Sequence, residues 1–142
     1  MFLFQCYFLN TKIDVSVMVK KLFQKRINEI LDKFKGKDII ISQNNANLFG
    51  QQSRKSTQVR GNGVLILTAE ELYFEMWRPK KILQIPISSI VKIEITKSFL
   101  HKSVFRKLLK LVFTNLEGEE DAAAWWVTSL DKWIEEIEKV KI

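Results

Sequence analysis

Between residues 63 and 127 the chain is a series of short apolar segments separated by turn signals, which limits it to a few folds. Val64–Thr68 and Leu72–Trp77 flank a short acidic turn and therefore predict a β-hairpin. Pro79 breaks the chain after this hairpin, and Pro86 ends the next apolar segment, Ile82–Ile85. Proline cannot donate to a β-ladder, so these positions predict strand ends.

The second half of this series continues the strand pattern. Ser89–Lys97 alternates apolar and polar residues, with Val91, Ile93 and Ile95 on one predicted face. Lys107–Asn115 alternates in the same way, and Gly118 then marks a turn. Ala122–Val127 mixes helix-favouring alanine with strand-favouring tryptophan and valine. A helix beginning at residue 129 leaves this segment outside it, so we interpret it as a strand.

Helical patterns flank the strands. Apolar residues from Val19 to Phe34 recur every three or four positions, which predicts an amphipathic helix that stops near Gly36. At the other end, Thr128 or Ser129 is a suitable N-cap for a helix that places Trp133 on its apolar stripe. The predicted fold is mainly β (α+β): about seven antiparallel strands form a barrel capped by a C-terminal helix, with an extra N-terminal helix. We divide the chain into residues 1–35 and 36–142.

Charge is distributed unevenly along the chain. Residues 35–115 carry fourteen basic and five acidic groups, whereas residues 116–142 carry three basic and eight acidic groups. The middle of the chain therefore presents a positive field, which suits anionic lipid head groups, nucleic acid or acidic proteins. An ordinary solvated surface is the alternative interpretation.

The first residues are apolar, but Asn10, Lys12 and Asp14 interrupt them too early for a membrane-spanning helix. The segment also lacks the charged start and the cleavage site of a signal peptide. We expect residues 1–17 to be a loose extension, with Met18 as an alternative natural start. Cys6 is the only cysteine and cannot form an internal disulfide, which fits a cytoplasmic protein.

Catalytic and metal-binding motifs are missing from the sequence. There is no nucleophile elbow, no phosphate-binding loop and no pair of histidines at metal-binding spacing. The carboxylates Glu117, Glu119, Glu120 and Asp121 cluster in or beside a turn, where solvated charge is the commoner use. We therefore expect no enzymatic activity, no cofactor and no metal.

Two motifs in order resemble those of GRAM-like and prokaryotic PH-like domains of the pleckstrin-homology (PH) superfold. Gly63-Val-Leu-Ile-Leu-Thr-Ala-Glu-Glu-Leu-Tyr-Phe matches the GRAM-like hairpin pattern G-x-L-x-L-T-x-x-x-L-x-F. Ile85-Pro-Ile-Ser-Ser-Ile matches the isoleucine–proline motif that follows it. The similarity covers residues 40–141. It implies two roughly orthogonal sheets, one end of which the Trp133 helix covers.

Three basic segments, interpreted as loops, supply the candidate binding residues. The candidates for an anionic ligand are Arg54, Lys55, Arg60, Arg78, Lys80, Lys81, Lys102, Arg106 and Lys107. The third segment, residues 97–107, also carries apolar candidates for membrane or partner contact: Phe99, Leu100, Val104 and Phe105. Packing of these apolar residues on the barrel is the alternative. The residues between Arg54 and Arg60 lack the basic-x-Arg spacing of the PH domains that bind phosphoinositides.

The sequence thus predicts a cytoplasmic binding or adaptor domain that recognises a protein or peptide partner. The alternative is peripheral membrane binding, in which the basic loops contact anionic lipids. A nucleic-acid partner is less favoured, because the sequence has charge but no recognition motif. The oligomeric state does not follow from the sequence.

Overall fold

The computed structural model describes the backbone of residues 2–142 and the side chains of residues 17–54 and 58–142. The chain divides into two compact units, which comprise residues 1–35 and residues 36–142. The helices are α1 (Phe2–Asp32) and α2 (Leu130–Lys141), and short 3₁₀ helices span Gln52–Thr57 and Ile87–Ser89. The strands are β1 (Ile39–Gln51), β2 (Gly61–Thr68), β3 (Glu71–Met76), β4 (Ile82–Pro86), β5 (Ile90–Phe99), β6 (Lys102–Thr114) and β7 (Glu120–Trp126).

The first unit is formed by α1 and the turn that follows it. α1 begins at Phe2, so helix extends through the segment that we expected to be loose. Neither proline nor glycine occurs before Gly36, and a helix elongates readily through such a sequence once it has begun. Gly36 has a φ of 86°, the left-handed conformation typical of a residue just beyond a helix.

The predicted mainly β fold is confirmed in the second unit. Its seven strands are all antiparallel and form one sheet in the order β4-β3-β2-β1-β7-β6-β5. β1 lies in the middle because it pairs with β2 along most of its length and with β7 through residues 47–51. The two sheets implied by the resemblance are therefore joined through β1 into one.

One apolar core lies on the inner face of this sheet. Side chains from distant strands meet there, including Leu48 of β1, Ile85 of β4 and Leu111 of β6. A sheet whose opposite ends share a core must curve around it. Trp133 and Ile137 of α2 are fully buried in the same core, which confirms that the C-terminal helix closes the barrel.

β1 is the strand that the sequence did not locate. Asparagine and glutamine occupy five of its thirteen positions, and asparagine is among the residue types that are depleted in strands. Its register shifts between Gln43 and Ala46 and again between Leu48 and Gly50, so it has no clean alternation. β2 nevertheless pairs with most of β1 and β7 pairs with residues 47–51, so tertiary pairing outweighs the weak local preference.

β5 has the predicted alternation, but its apolar face is only partly covered. Ile93 packs against the core, whereas Val91 and Ile95 remain 59% and 49% exposed. β5 forms one end of the sheet and pairs only with β6. Its register also shifts between Ile90 and Lys92, which removes part of the strand from the core.

Candidate functional site

The first two basic segments lie at one end of the sheet. Gly61 pairs with Leu48 and Gly63 pairs with Met76, so the β1–β2 and β3–β4 connections lie at the same end of the strands. The exposed cations of these connections are Arg54, Arg60, Arg78 and Lys80. The Lys55 side chain lies outside the described residues.

Lys81 differs from the other cations at this end. Its Nζ atom is buried and has no hydrogen-bond partner. Burial lowers the pKa of Lys81, and the nearby Arg54 guanidinium lowers it further. Two segments that are separate in the sequence therefore bring positive charges together, and an anion placed between them would relieve both the repulsion and the desolvation.

A carboxylate also lies at this end, that of Asp121, and other groups of the protein already donate hydrogen bonds to it. Asp121 is buried, and its oxygens accept hydrogen bonds from Gln51 Nε2 at 2.8 Å and from Ser53 Oγ at 2.7 Å. The backbone N–H groups of Ser53 and Ala122 also donate to it. Asp121 therefore fixes the β1–β2 connection on β7, and the expectation that its carboxylate is solvated is wrong.

The third basic segment is a β-hairpin, so its interpretation as a loop is wrong. β5 continues to Phe99 and β6 begins at Lys102. Leu100 and His101 form the two-residue turn, with φ values of 55° and 64°. Positive φ at both central residues is the geometry of the tight hairpin turn whose twist matches antiparallel strands. Glycine and asparagine usually mark this turn, so the Leu–His pair gave no signal for it.

A large irregular bulge interrupts the hairpin. Ser98 pairs with Ser103, but two residues earlier Thr96 pairs with Leu108. Residues 104–107 of β6 therefore lie opposite the single residue Lys97. Bulges bend a strand and redirect its side chains. Phe105, within this bulge, is fully exposed.

The hairpin tip lies against the outer face of the sheet, opposite the main core. Leu100 Cδ1 is 2.6 Å from the position that a β-carbon on Gly50 would take. The Phe99 ring lies 6.5 Å from the Phe49 ring of β1. We call the apolar residues on this face the outer cluster: the buried Phe99, Leu108, Val112, Ala122 and Ala124, with Phe49, Leu100, Val104 and Trp126 partly buried around them.

Beside the outer cluster is an open groove of about 500 Å³, which we call the outer groove. Its lining residues are Asn47, Phe49, Asn62, Ser103, Val104, Phe105, Arg106, Leu108 and Trp126. The bulge forms part of its lining, and residues of β1, β2 and β7 complete it. An apolar groove with a few polar groups is the usual form of a binding site.

Arginine side chains lie over two of the lining rings. Arg60 Cζ is 4.8 Å from the centre of the Phe49 ring, and Arg106 Cζ is 4.8 Å from that of Trp126. Such cation–π contacts are worth about 0.5–1 kcal/mol at exposed positions. They hold each guanidinium next to the groove and leave its N–H groups able to bind an anion.

The predicted candidates thus separate into two places. Val104, Phe105 and Arg106 line the outer groove, and Arg60 lies beside it, with Lys102 and Lys107 exposed on the same hairpin. Phe99 and Leu100, at the hairpin tip, pack against the outer face of the sheet, as the alternative interpretation held. The sequence analysis missed the groove residues Asn47, Phe49, Asn62 and Trp126. Successive side chains of a strand point to opposite faces, so Trp125 and Trp126 cannot both face the core. This alternation could have indicated that one of the two tryptophans lies on the outer face.

The described part of the chain shows no metal-binding cluster. Among its residues, no three His, Cys, Asp or Glu side chains are grouped so that they could hold a metal ion. None of the helices in this described part combines the length and the apolar character that crossing a membrane requires.

Comparisons with solved structures identify the fold. One similar structure is a chain of the 8S snRNP assembly intermediate, with a TM-score of 0.57 and 11% identity over 72% of this chain and 81% of that one. Another is the C-terminal domain of an unknown protein from Leishmania infantum, with a TM-score of 0.52 and 15% identity over 87% and 97% of the two chains. The Vps36 N-terminal PH domain also has a TM-score of 0.52, with 13% identity over 75% and 80%.

Sequence comparisons add nothing to this, since no protein-family model and no curated protein matches the chain. Identities this low show a common fold and no more. The order of strands, the closing helix and the likeness to the Vps36 domain agree with one another. The chain has a PH-like fold.

Proposed function

We propose that this chain is a non-enzymatic, cytoplasmic binding domain that recognises a peptide segment of a protein partner in the outer groove. The observation that carries the proposal is the full exposure of Phe105 beside an apolar groove of about 500 Å³. A binding or adaptor role fits the PH-like fold in general. The kinship with GRAM-like domains, which the two sequence motifs suggest, is also part of the proposal.

The physical support comes from how the groove is built. A bulge interrupts the alternation of β6 at Phe105, and the Phe105 side chain is fully exposed. Exposed aromatic side chains beside an apolar depression are typical anchors of protein interfaces. The groove also carries amide groups, which match the hydrogen-bonding needs of a peptide backbone.

Selection from a random peptide library displayed on phage tests this function. We expect the wild-type domain to enrich a recognisable set of sequences and Phe105→Ser to lose that enrichment. Leu116→Ser is the matched control, because Leu116 is also fully exposed but lies in the β6–β7 turn. Enrichment that survives Phe105→Ser, or no enrichment at all, would contradict the proposal.

The alternative function is peripheral binding to anionic lipids at the end of the barrel. The buried, unpartnered Nζ atom of Lys81 beside Arg54 favours it, since a phosphate there would pair with both cations. Sedimentation with phosphoinositide-containing and neutral liposomes tests it. Lys81→Glu should abolish the difference between the two liposomes, whereas Lys141→Glu, with the same charge change on α2, should not. Equal loss with both variants would mean that only net charge matters.

A further inference from the structure

The charge of the outer groove points to the chemistry of its occupant. Among the described residues, Arg106 is the only charged one in the lining, and none of their carboxylates lines the groove. Arg60 lies over Phe49, and Lys102 and Lys107 are exposed on the same hairpin. The nearby Glu94 does not neutralise these cations, because it pairs with Lys92 at 2.7 Å and with Lys110 at 3.2 Å. The groove therefore combines apolar surface with uncompensated positive charge.

Two amide side chains give the groove a peptide-like polar edge. Asn47 Nδ2 donates a hydrogen bond to Asn62 Oδ1 at 2.9 Å. This bond orients both amides and leaves the Asn47 oxygen as an acceptor and the Asn62 nitrogen as a donor. A peptide backbone offers one donor and one acceptor per residue, so it can bond to both groups, whereas a hydrocarbon chain can bond to neither.

We propose, building on the proposed function, that the outer groove takes an acidic peptide segment with a single apolar anchor side chain. The anchor packs against Phe105 and Trp126. Carboxylates on either side of it pair with the guanidinium groups of Arg60 and Arg106, a geometry that favours bidentate hydrogen bonds. The backbone of the segment bonds to the Asn47–Asn62 amide pair.

The same contacts make a nucleic-acid occupant less suitable. Proteins that bind single strands stack successive bases on exposed aromatic faces. In the outer groove, Arg60 and Arg106 already lie over the rings of Phe49 and Trp126. Phe105 is left as the one fully exposed ring among the lining residues, which is too little for a run of bases.

Fluorescence anisotropy with labelled probes tests this inference. The first probe is a peptide with one phenylalanine between two acidic triplets, Asp-Glu-Asp on each side. The second probe replaces each acid with its amide, and the third is a short oligouridylate. We expect the acidic peptide to bind about tenfold more tightly than its amide counterpart, and less tightly as salt rises, because exposed charges are screened beyond about 10 Å at ~0.1 M salt.

Variants assign the effect to the groove. Arg106→Gln should weaken the acidic probe about fivefold, as expected for a partly exposed ion pair, and leave the amide probe unchanged. Lys141→Gln on α2 removes the same charge far from the groove in sequence and should change neither affinity. Circular dichroism should show both variants folded, because both side chains are exposed.

The possible results separate this inference from the proposed function. Equal binding of both peptides, lost with Phe105→Ser, would overturn the acidic partner class and leave peptide recognition standing. Binding of oligouridylate alone would overturn both. If none of the probes binds while the phage library still yields groove-dependent sequences without acids, only the acidic class is overturned.

Discussion

Leu100 Cδ1 lies 2.6 Å from the point that a β-carbon on Gly50 would occupy. Glycine at position 50 therefore allows the hairpin tip to lie directly on β1. Gln58 Oε1 is a second neighbour of that point, at 3.1 Å, and Gln58 is fixed by two hydrogen bonds to the Gln51 backbone. A β-carbon at position 50 would force the Leu100 side chain to shift, because Gln58 is held by its hydrogen bonds and cannot move easily.

Gly50→Ala should lower the free energy of unfolding by about 1–2 kcal/mol, the usual penalty for overpacking a close contact. Leu100→Ala removes the clashing methyl group, so the double variant should recover part of the loss. Chemical denaturation of the two single variants and the double variant measures this coupling. Strictly additive losses would show that Leu100 does not lie over Gly50 in solution.

Asp121→Ala should destabilise the domain by about 2–4 kcal/mol, because it leaves several buried or partly buried donors without their acceptor. These donors include Gln51 Nε2, Ser53 Oγ and the Ser53 backbone N–H. Urea denaturation provides the measurement. Glu120→Ala is the control, since Glu120 is the exposed neighbour on β7 and should have little effect. Similar losses of stability in the two variants would show that the Asp121 hydrogen bonds do not stabilise the domain.

Lys81→Met should raise the melting temperature by about 2 °C at neutral pH. Burial, and then the Arg54 charge, lower the pKa of Lys81 in the folded state. The charged form therefore disfavours folding below that folded pKa, and the penalty disappears as pH rises towards the unfolded value, about 10.4. Methionine keeps the apolar stem without the charge.

Thermal unfolding at neutral and alkaline pH checks this prediction, and the gain should shrink at the higher pH. Lys80→Met, an exposed lysine in the same turn, is the matched control and should leave the melting temperature unchanged. A lower melting temperature for Lys81→Met at neutral pH would indicate that the ammonium has a stabilising partner.

Glu94→Gln should remove a small, pH-dependent stabilisation. Its hydrogen bond to Lys92 and then that to Lys110 lower the pKa of Glu94 below its ordinary value. The contribution is therefore present above the unfolded pKa, about 4.3, and disappears as pH falls through the lower folded pKa. Because the carboxylate is partly exposed, we expect no more than about 0.5 kcal/mol at neutral pH.

Urea denaturation of wild type and of Glu94→Gln, from neutral to strongly acidic pH, measures the difference between their free energies of unfolding. The two stabilities should converge in acid, and high salt should bring them together at neutral pH. A constant difference at every pH would assign the effect to packing and not to charge.

Much of the scaffold follows from local pattern, because its strands alternate and its last helix is amphipathic. The turns at residues 69–71 and 116–119, the closing role of Trp133 and the strand at 122–127 were all predictable. β1 was not, since its stability comes from two neighbouring ladders and its own composition favours turns.

The site was predictable only in part, and the reason is geometric. Arg106 and Phe105 stood out as a cation beside an exposed aromatic, but their direction depends on a bulge that only pairing defines. Phe49 and Asn62 are distant from them in sequence, and the strand order β2-β1-β7-β6 brings them together. Charge alone also gave no indication that Lys81 differs from Lys80.

The central position of β1 has a consequence for the order in which the molecule can assemble. Its second ladder is formed with β7, and the Gln51–Asp121 hydrogen bond that secures this ladder spans 70 residues. During synthesis β1 can form a meander with β2, β3 and β4 while one side of its own backbone has no neighbour. Contacts so distant along the chain slow folding and leave an unpaired strand edge in the meantime. That unpaired edge is exposed to aggregation until β7 pairs with it, because Asn and Gln side chains can form ladders in cross-β stacks.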